Sequence, residues 1–440
     1  MEDYEQIVAR VLAGDSTLFE GDTAAHALGW LRHPERYLGE YLDQVNRLIP
    51  RRHRETVLLG MGGSSSPARL YAEAIGSDTI TVLDTSNPDT VAGTDFSNVN
   101  VVASSKSGGT IETQTLLAHA LAHGLEPQDL AVITDPGTTL EGLGYSLGAM
   151  VFVGDPDTGG RFSAISPFGL IPALCAGWTP DTLRDALAGC QLSEAVVVRA
   201  VEESAKLGEG VVDGHAFFEL GSDPISSGGA LWLEQLIAET TGKQNRGFIP
   251  VARGATATYG PDQVMHWQLV GALLARQLGV DPFNQPNVES AKKDVFSLLT
   301  GPVVWEADPV DPADLVDALS RSTYNVLQAY APLSAAPALA KLRDDVATHF
   351  AATTANLGPR YLHSTGQLHK GGPVDVVALQ IVQRPRSAPQ RIQGRGYSFH
   401  DLHMAQAQSD LRAMQAAGRR VARVIVDELS EAASLLGVGS

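Results

Sequence analysis

Apolar positions in the first 50 residues recur at helical spacing. Ile7, Val8, Val11 and Leu12 fall on one face, which predicts amphipathic helices across residues 1–50. From Thr56 the period changes. Short β-rich runs follow one another at 56–59, 80–83, 99–102, 130–133 and 150–153, with helical patterns at 67–75 and 111–123 between them. Continuous apolar runs that alternate with helices predict strands buried on both faces, the pattern of a doubly wound parallel sheet.

A second unit is expected to begin between Gly177 and Asp213. Its predicted strands lie at 215–220, 248–251, 374–382 and 421–426, and its long helical stretches at 230–239, 263–278 and 312–352. The segment 383–396, rich in Arg, Pro, Gln and Gly, predicts a loop. No short-period repeat or low-complexity tract interrupts this plan.

Composition narrows the function classes. The chain has 440 residues with 32 Lys+Arg against 50 Asp+Glu, a formal charge of −18. Nucleic acid and anionic membranes need clustered positive charge, so neither is expected as a partner. Hydrophobic residues at 44% and charged residues at 19% match ordinary globular usage. Cys175 and Cys190 are the two cysteines, too few for a disulfide framework or a thiolate zinc cluster. The start Met1-Glu2-Asp3 lacks the basic and apolar regions of a signal peptide, and the longest uncharged stretch, 162–180, is broken by prolines. A cytoplasmic location is the expectation.

An acidic protein can still bind an anion through local backbone N–H groups and a few placed cations. The run 57–67, V-L-L-G-M-G-G-S-S-S-P, reads as strand, glycine turn and helix start, with Gly63 and Ser64 in the turn and Pro67 suited to the first helical turn. Taken alone, it also fits a purely structural turn. The run 101–113 repeats the logic: Ser105, Ser107 and Thr110 can donate to phosphate oxygens, and Lys106 adds charge. It lacks the Gly-Lys-Ser/Thr order of a nucleoside-triphosphate loop. Two such turns at adjacent strand ends predict one anion pocket at a switch point of the sheet.

Other candidates follow along the chain. Arg161 sits in G-G-R-F-S, where paired glycines allow close approach and a cation can meet developing negative charge; a surface salt bridge is the plainer alternative. Gln235 and Glu239, four apart, share a helix face, and a carboxylate at a helix C-terminus is a candidate base. Gln285 and Lys292, seven apart, could reach one site at the start of a helix near Pro286. His363 lies in a segment, 363–372, that reads as a Gly-rich polar loop before the strand expected at 374–382. His400 and His403 lack a third nearby ligand, so no metal is expected.

Together the segments G-M-G-G-S, S-K-S-G-G-T-I-E-T, G-G-R-F-S, E-Q-L-I-A-E-T-T-G-K and Q-P-N-V-E-S-A-K, in this order from Gly60 to Lys292, resemble the glucose-6-phosphate isomerase family of the sugar-isomerase (SIS) superfamily. The segment Y-L-H-S-T-G-Q-L-H-K-G-G looks most like the isomerase half of bacterial transaldolase–isomerase fusions, although the chain is too short to hold the transaldolase barrel.

The resemblance covers the chain from about residue 55 onward. It implies two doubly wound parallel-sheet SIS domains, three-layer αβα, at 51–190 and 191–440, with residues 1–50 as a peripheral helical segment. By the same resemblance the substrates are glucose 6-phosphate and fructose 6-phosphate, no cofactor or metal is needed, and the protein is a homodimer.

The family's phosphate ligands fall on Ser64, Ser105, Lys106, Ser107 and Thr110, with Gly63 also substrate-binding, and its base on Glu239, with Gln235 one turn earlier. Arg161 matches the enediolate-stabilising arginine. Gln285 and Lys292 match the substrate-binding glutamine and ring-opening lysine, and His363 matches the ring-opening histidine. Three departures stand out: Gly109 where many members have threonine, Thr240 where serine is common, and His363 placed after Lys292 rather than before it. His266 occupies the usual interval but reads as a helix residue. A non-catalytic sugar-phosphate sensor would keep only the phosphate turns, and an isomerase of a mannose or amino-sugar phosphate would share fold and base.

Overall fold

The computed structural model describes residues 4–48, 54–254, 259–287, 289–301 and 312–438. Helices Tyr4–Leu12, His33–Tyr37 and Glu40–Leu48 form the start, with Val8, Val11, Leu42 and Val45 turned into the core. Leu12, placed by periodicity on the same face, is exposed.

Five parallel strands follow: β1 (Thr56–Gly60), β2 (Ile80–Leu83), β3 (Asn100–Ser104), β4 (Leu130–Thr134) and β5 (Met150–Val153). They pair in the order 2-1-3-4-5. Alternate side chains enter two different cores. Leu58, Val102 and Ile133 pack with Phe168 and Leu170, whereas Leu59, Val101 and Val132 pack with Leu116 and Leu117. This is the doubly wound parallel sheet that the apolar runs predict, covered on both faces. In this order the direction of winding reverses between β1 and β3, so the loops leaving those two strands flank a crevice.

The second parallel sheet contains β8 (Tyr324–Tyr330), β9 (Ala352–Leu357), β10 (Val376–Gln383) and β11 (Arg420–Val426), ordered 11-10-8-9. A parallel pair, β6 (His215–Glu219) and β7 (Gly247–Val251), lies beside it, with β7 against β9. This sheet too is covered on both faces: Leu327, Leu379 and Ile381 meet Leu339 and Val346, whereas Tyr324, Val326 and Ala378 meet Met414.

The predicted helical stretch 312–352 divides into helix Pro312–Arg321, β8 and helix Ala336–His349, and β9 was not anticipated. Asn325 and Gln328, three apart, imitate the polar face of a helix. In the strand both are fully buried and bonded: Asn325 Nδ2 donates to the Leu319 carbonyl at 3.2 Å, and Gln328 Nε2 lies 3.3 Å from His369 Nδ1. Tertiary hydrogen bonds thus override the local period.

Helix Gly228–Thr241 packs on helix Ser66–Ala74 and joins the two sheet regions. Among the described residues no helix is long and apolar enough to cross a membrane.

Candidate active site

Glycine at 62 and 63 is required by close packing. Gly62 has φ +55°, and a Cβ there would collide with the carbonyl of His363; a Cβ at Gly63 would collide with the carbonyl of Gly160. Three distant segments therefore converge on the turn after β1. Ser64 is buried in it, and Ser66 Oγ donates to Gln235 Oε1 at 2.7 Å.

The turn after β3 folds on itself, with Ser105 and Thr110 hydroxyls 2.8 Å apart. Thr110 caps the start of helix Ile111–Ala122 without a side-chain cap bond, and Ser107 is exposed. The Lys106 ammonium is committed elsewhere: it pairs with Asp135 and donates to the Asp155 carbonyl at 2.8 Å.

Glu239 and Arg161 form a buried centre at the end of helix Gly228–Thr241. Arg161 Nη1 lies 3.0 Å from Glu239 Oε1, and both side chains are at most 5% exposed. Gln235 Nε2 donates to Glu239 Oε2 at 3.0 Å and to the His363 carbonyl at 3.1 Å. The i,i+4 spacing on the helix makes the first of these bonds possible. Arg161 Nη2 donates to the carbonyls of Pro282 and Asn284 at 3.0 and 3.1 Å. Burial lowers the Arg161 pKa, while the charges of Glu239 and Asp281 pull it back up. A guanidinium keeps its proton throughout.

His363 closes the 3-10 turn Arg360–His363 and is followed by helix Gly366–Gly371, so the segment that sequence reads as a loop is helical. The turn is anchored by Arg360, whose Nε and Nη2 reach the buried Asp84 carboxylate at 2.8 and 2.9 Å. His363 Nε2 lies 2.9 Å from Glu112 Oε1, which also accepts from Gln406 Nε2 at 2.6 Å. A cavity of about 160 Å³ opens beside it, lined by Ser107, Thr110, Glu112, His363, Lys370 and Asp410 among others. Lys370 and Asp410 form a buried pair at 2.6 Å there.

Gln285 is half-buried between Asn284 and Asn287. The neighbouring Asn287 backbone N–H donates to Gln367 Oε1 at 3.1 Å, and Gln367 Nε2 donates to the Gly242 carbonyl at 2.9 Å. The following helix starts at Glu289 rather than near Pro286, and the Lys292 side chain lies outside the described residues. His266 is buried on helix Val264–Leu278 against Trp267, 5.0 Å between ring centroids, and burial pushes its pKa down to about 4, with the charge of Arg199 adding to the effect.

The structure thus joins Gly63, Ser64, Arg161, Gln235, Glu239 and His363 through direct or one-step contacts, with Ser105 and Thr110 on the neighbouring turn. Sequence reasoning missed Glu112, Lys370, Asp410 and Lys243. Glu112 stands inside S-K-S-G-G-T-I-E-T, but an acid in the first turn of a helix reads as ordinary dipole compensation. Its partner His363 is 251 residues away.

No family model matches the chain. It is similar to a protein named glucose-6-phosphate isomerase from Thermus thermophilus, 29% identical over 341 residues, covering 69% of this chain and 79% of that one. A protein of the same name from Mycoplasma mycoides is 26% identical over 255 residues, covering 51% of this chain; the match spans only 58% of that relative's length. Among solved structures, a glucose-6-phosphate isomerase from Chlamydia trachomatis is 16% identical, covers 66% of this chain and 78% of its own, and has a TM-score of 0.48.

Proposed function

We propose that the protein is a sugar-phosphate isomerase that interconverts glucose 6-phosphate and fructose 6-phosphate through an enediolate. The observation that carries the reading is the buried Arg161–Glu239 pair, braced by Gln235 and set against the glycine turn after β1. Relatives bearing the name glucose-6-phosphate isomerase support the choice of substrate.

Aldose–ketose conversion moves one proton between carbons 1 and 2. Glu239 takes it from one carbon and returns it to the other, as one carboxylate can. The charge that develops on oxygen is met by Arg161, a fixed cation in a water-poor site. Its Nε is buried without a hydrogen-bond partner among the described residues. His363, oriented by Glu112, opens the pyranose together with Lys292. Gly63, Ser64, Ser105, Ser107 and Thr110 hold the phosphate, with Lys106 joining them by exchanging its Asp135 partner for the anion; binding at this remote group orients the reacting carbons. Gln285 contacts the sugar. These steps call for no metal or organic cofactor. The same reading takes residues 51–190 and 191–440 as the two SIS domains, and a cytoplasmic homodimer as the working form.

A coupled assay for glucose 6-phosphate formation from fructose 6-phosphate, run with and without chelator, tests the reading. Turnover that is indifferent to chelator is expected. A folded protein that binds the sugar phosphate without converting it would instead be a sensor.

The Ser105 and Thr110 hydroxyls stand 2.8 Å apart at a helix start, within reach of one bound anion. Hydrogen bonds to charged groups contribute roughly 1.5–3 kcal/mol each, so the Ser105→Ala/Thr110→Ala double variant should raise KM by about tenfold or more. An unchanged KM with the fold intact would remove the phosphate from this turn.

His363→Ala should impair turnover of the closed pyranose more than proton exchange on the open-chain fraction. His266→Ala, a change inside a packed helix, should leave the ratio of those two rates as in the parent. A selective loss of pyranose turnover at His266 alone would reverse the assignment.

A further inference from the structure

Lys243 directly follows the loop residue that ends helix Gly228–Thr241 and is 2% exposed. A buried ammonium is costly unless acceptors and counter-charge surround it. Burial pushes the Lys243 pKa down to about 6; the charge of Arg161 adds to the effect, while those of Asp281 and Glu239 oppose it. Its ammonium donates to the backbone carbonyl of Asp281.

That carbonyl begins a tightly fastened turn. Asp281 Oδ1 accepts the N–H groups of Phe283 at 2.8 Å and Asn284 at 3.3 Å. The carbonyls of Pro282 and Asn284 are the two that receive Arg161 Nη2. Lys243 thus fixes one end of the turn, the Asp281 carboxylate folds it, and the turn holds the guanidinium that faces Glu239.

We propose that Lys243 is a positioning residue for the reaction: through the Asp281–Asn284 turn it sets where Arg161 stands relative to Glu239. The proposal rests on the assignment of Glu239 and Arg161 as the proton-transfer centre. Misplacement of a reacting group by about 1 Å can cost on the order of 100-fold in rate, so a loosened turn should act on kcat. Phosphate binding, which uses other turns, should be spared.

The test measures kcat and KM for fructose 6-phosphate, and binding of glucitol 6-phosphate, in Lys243→Met, Lys243→Arg and Asp281→Ala. Lys243→Met is expected to lower kcat by about 10- to 100-fold with glucitol 6-phosphate binding retained. Lys243→Arg, which keeps a cationic donor, should recover part of the loss. A folded Lys243→Met with the parent kcat would overturn the proposal, as would equal losses in binding and kcat.

If Lys243→Met fails to fold, Asp281→Ala decides. It loosens the same turn by removing the carboxylate, and a parent kcat there overturns the proposal as well. Absence of isomerisation by the parent protein would contradict the proposed function itself, and this inference with it.

Discussion

Glu239→Gln is expected to lower turnover by about 100- to 10,000-fold, the usual cost of removing a general base. The substitution keeps the shape of the side chain and an oxygen that can accept from Arg161. What disappears is the basic oxygen assigned to receive the substrate proton. Deleting one partner of a buried ion pair outright typically costs roughly 3–5 kcal/mol, because the other charge is left uncompensated. The glutamine oxygen should hold the loss below that range, so the folded variant remains available for measurement. Isothermal binding of glucitol 6-phosphate should be close to that of the parent, because no phosphate contact is assigned to Glu239. A loss of binding that matched the loss of rate would show that Glu239 holds the sugar rather than moving its proton.

Arg161→Lys should be almost as damaging. The guanidinium meets one carboxylate oxygen and two carbonyls at once, at 3.0–3.1 Å. An ammonium carries the same charge without the planar fork, so it cannot meet all three in that geometry. Removal of one preorganised donor to an oxyanion typically costs on the order of 100- to 1,000-fold in kcat. Steady-state kinetics should therefore show a fall in kcat of that order with a smaller change in KM. A parent kcat in Arg161→Lys would mean that the charge alone suffices and that the fork geometry has no part in the rate.

The strands of the first sheet were legible because each apolar run is closed by residues that punctuate structure, such as Gly60, Pro88 and Pro136. In the second sheet β8 was not. Pro332 closes that run as Pro136 closes β4, but Asn325 and Gln328 imitate a helix face, and their buried partners reveal the strand. That Gln235 and Glu239 share a face follows from helical spacing alone, and the structure adds the bond between them. The Glu112–His363 contact could not, since it joins residues 251 positions apart in the sequence. The same holds for Lys106: its charge was evident from sequence, but its commitment to Asp135 depends on the neighbouring strand. Motif spacing identifies which groups a turn can offer. Tertiary packing decides which of them already have partners.

Glu239 is assigned the transfer of a proton between carbons 1 and 2. The most direct test of that role follows hydrogen–deuterium exchange at carbon 2 of glucose 6-phosphate in heavy water by proton magnetic resonance, for the parent and Glu239→Gln, with phosphosugar binding verified in both. The parent should exchange that hydrogen, and the variant should bind the sugar while exchange falls by about 100-fold or more. Exchange in Glu239→Gln at the parent rate would show that another group is the base and that the assigned mechanism is wrong.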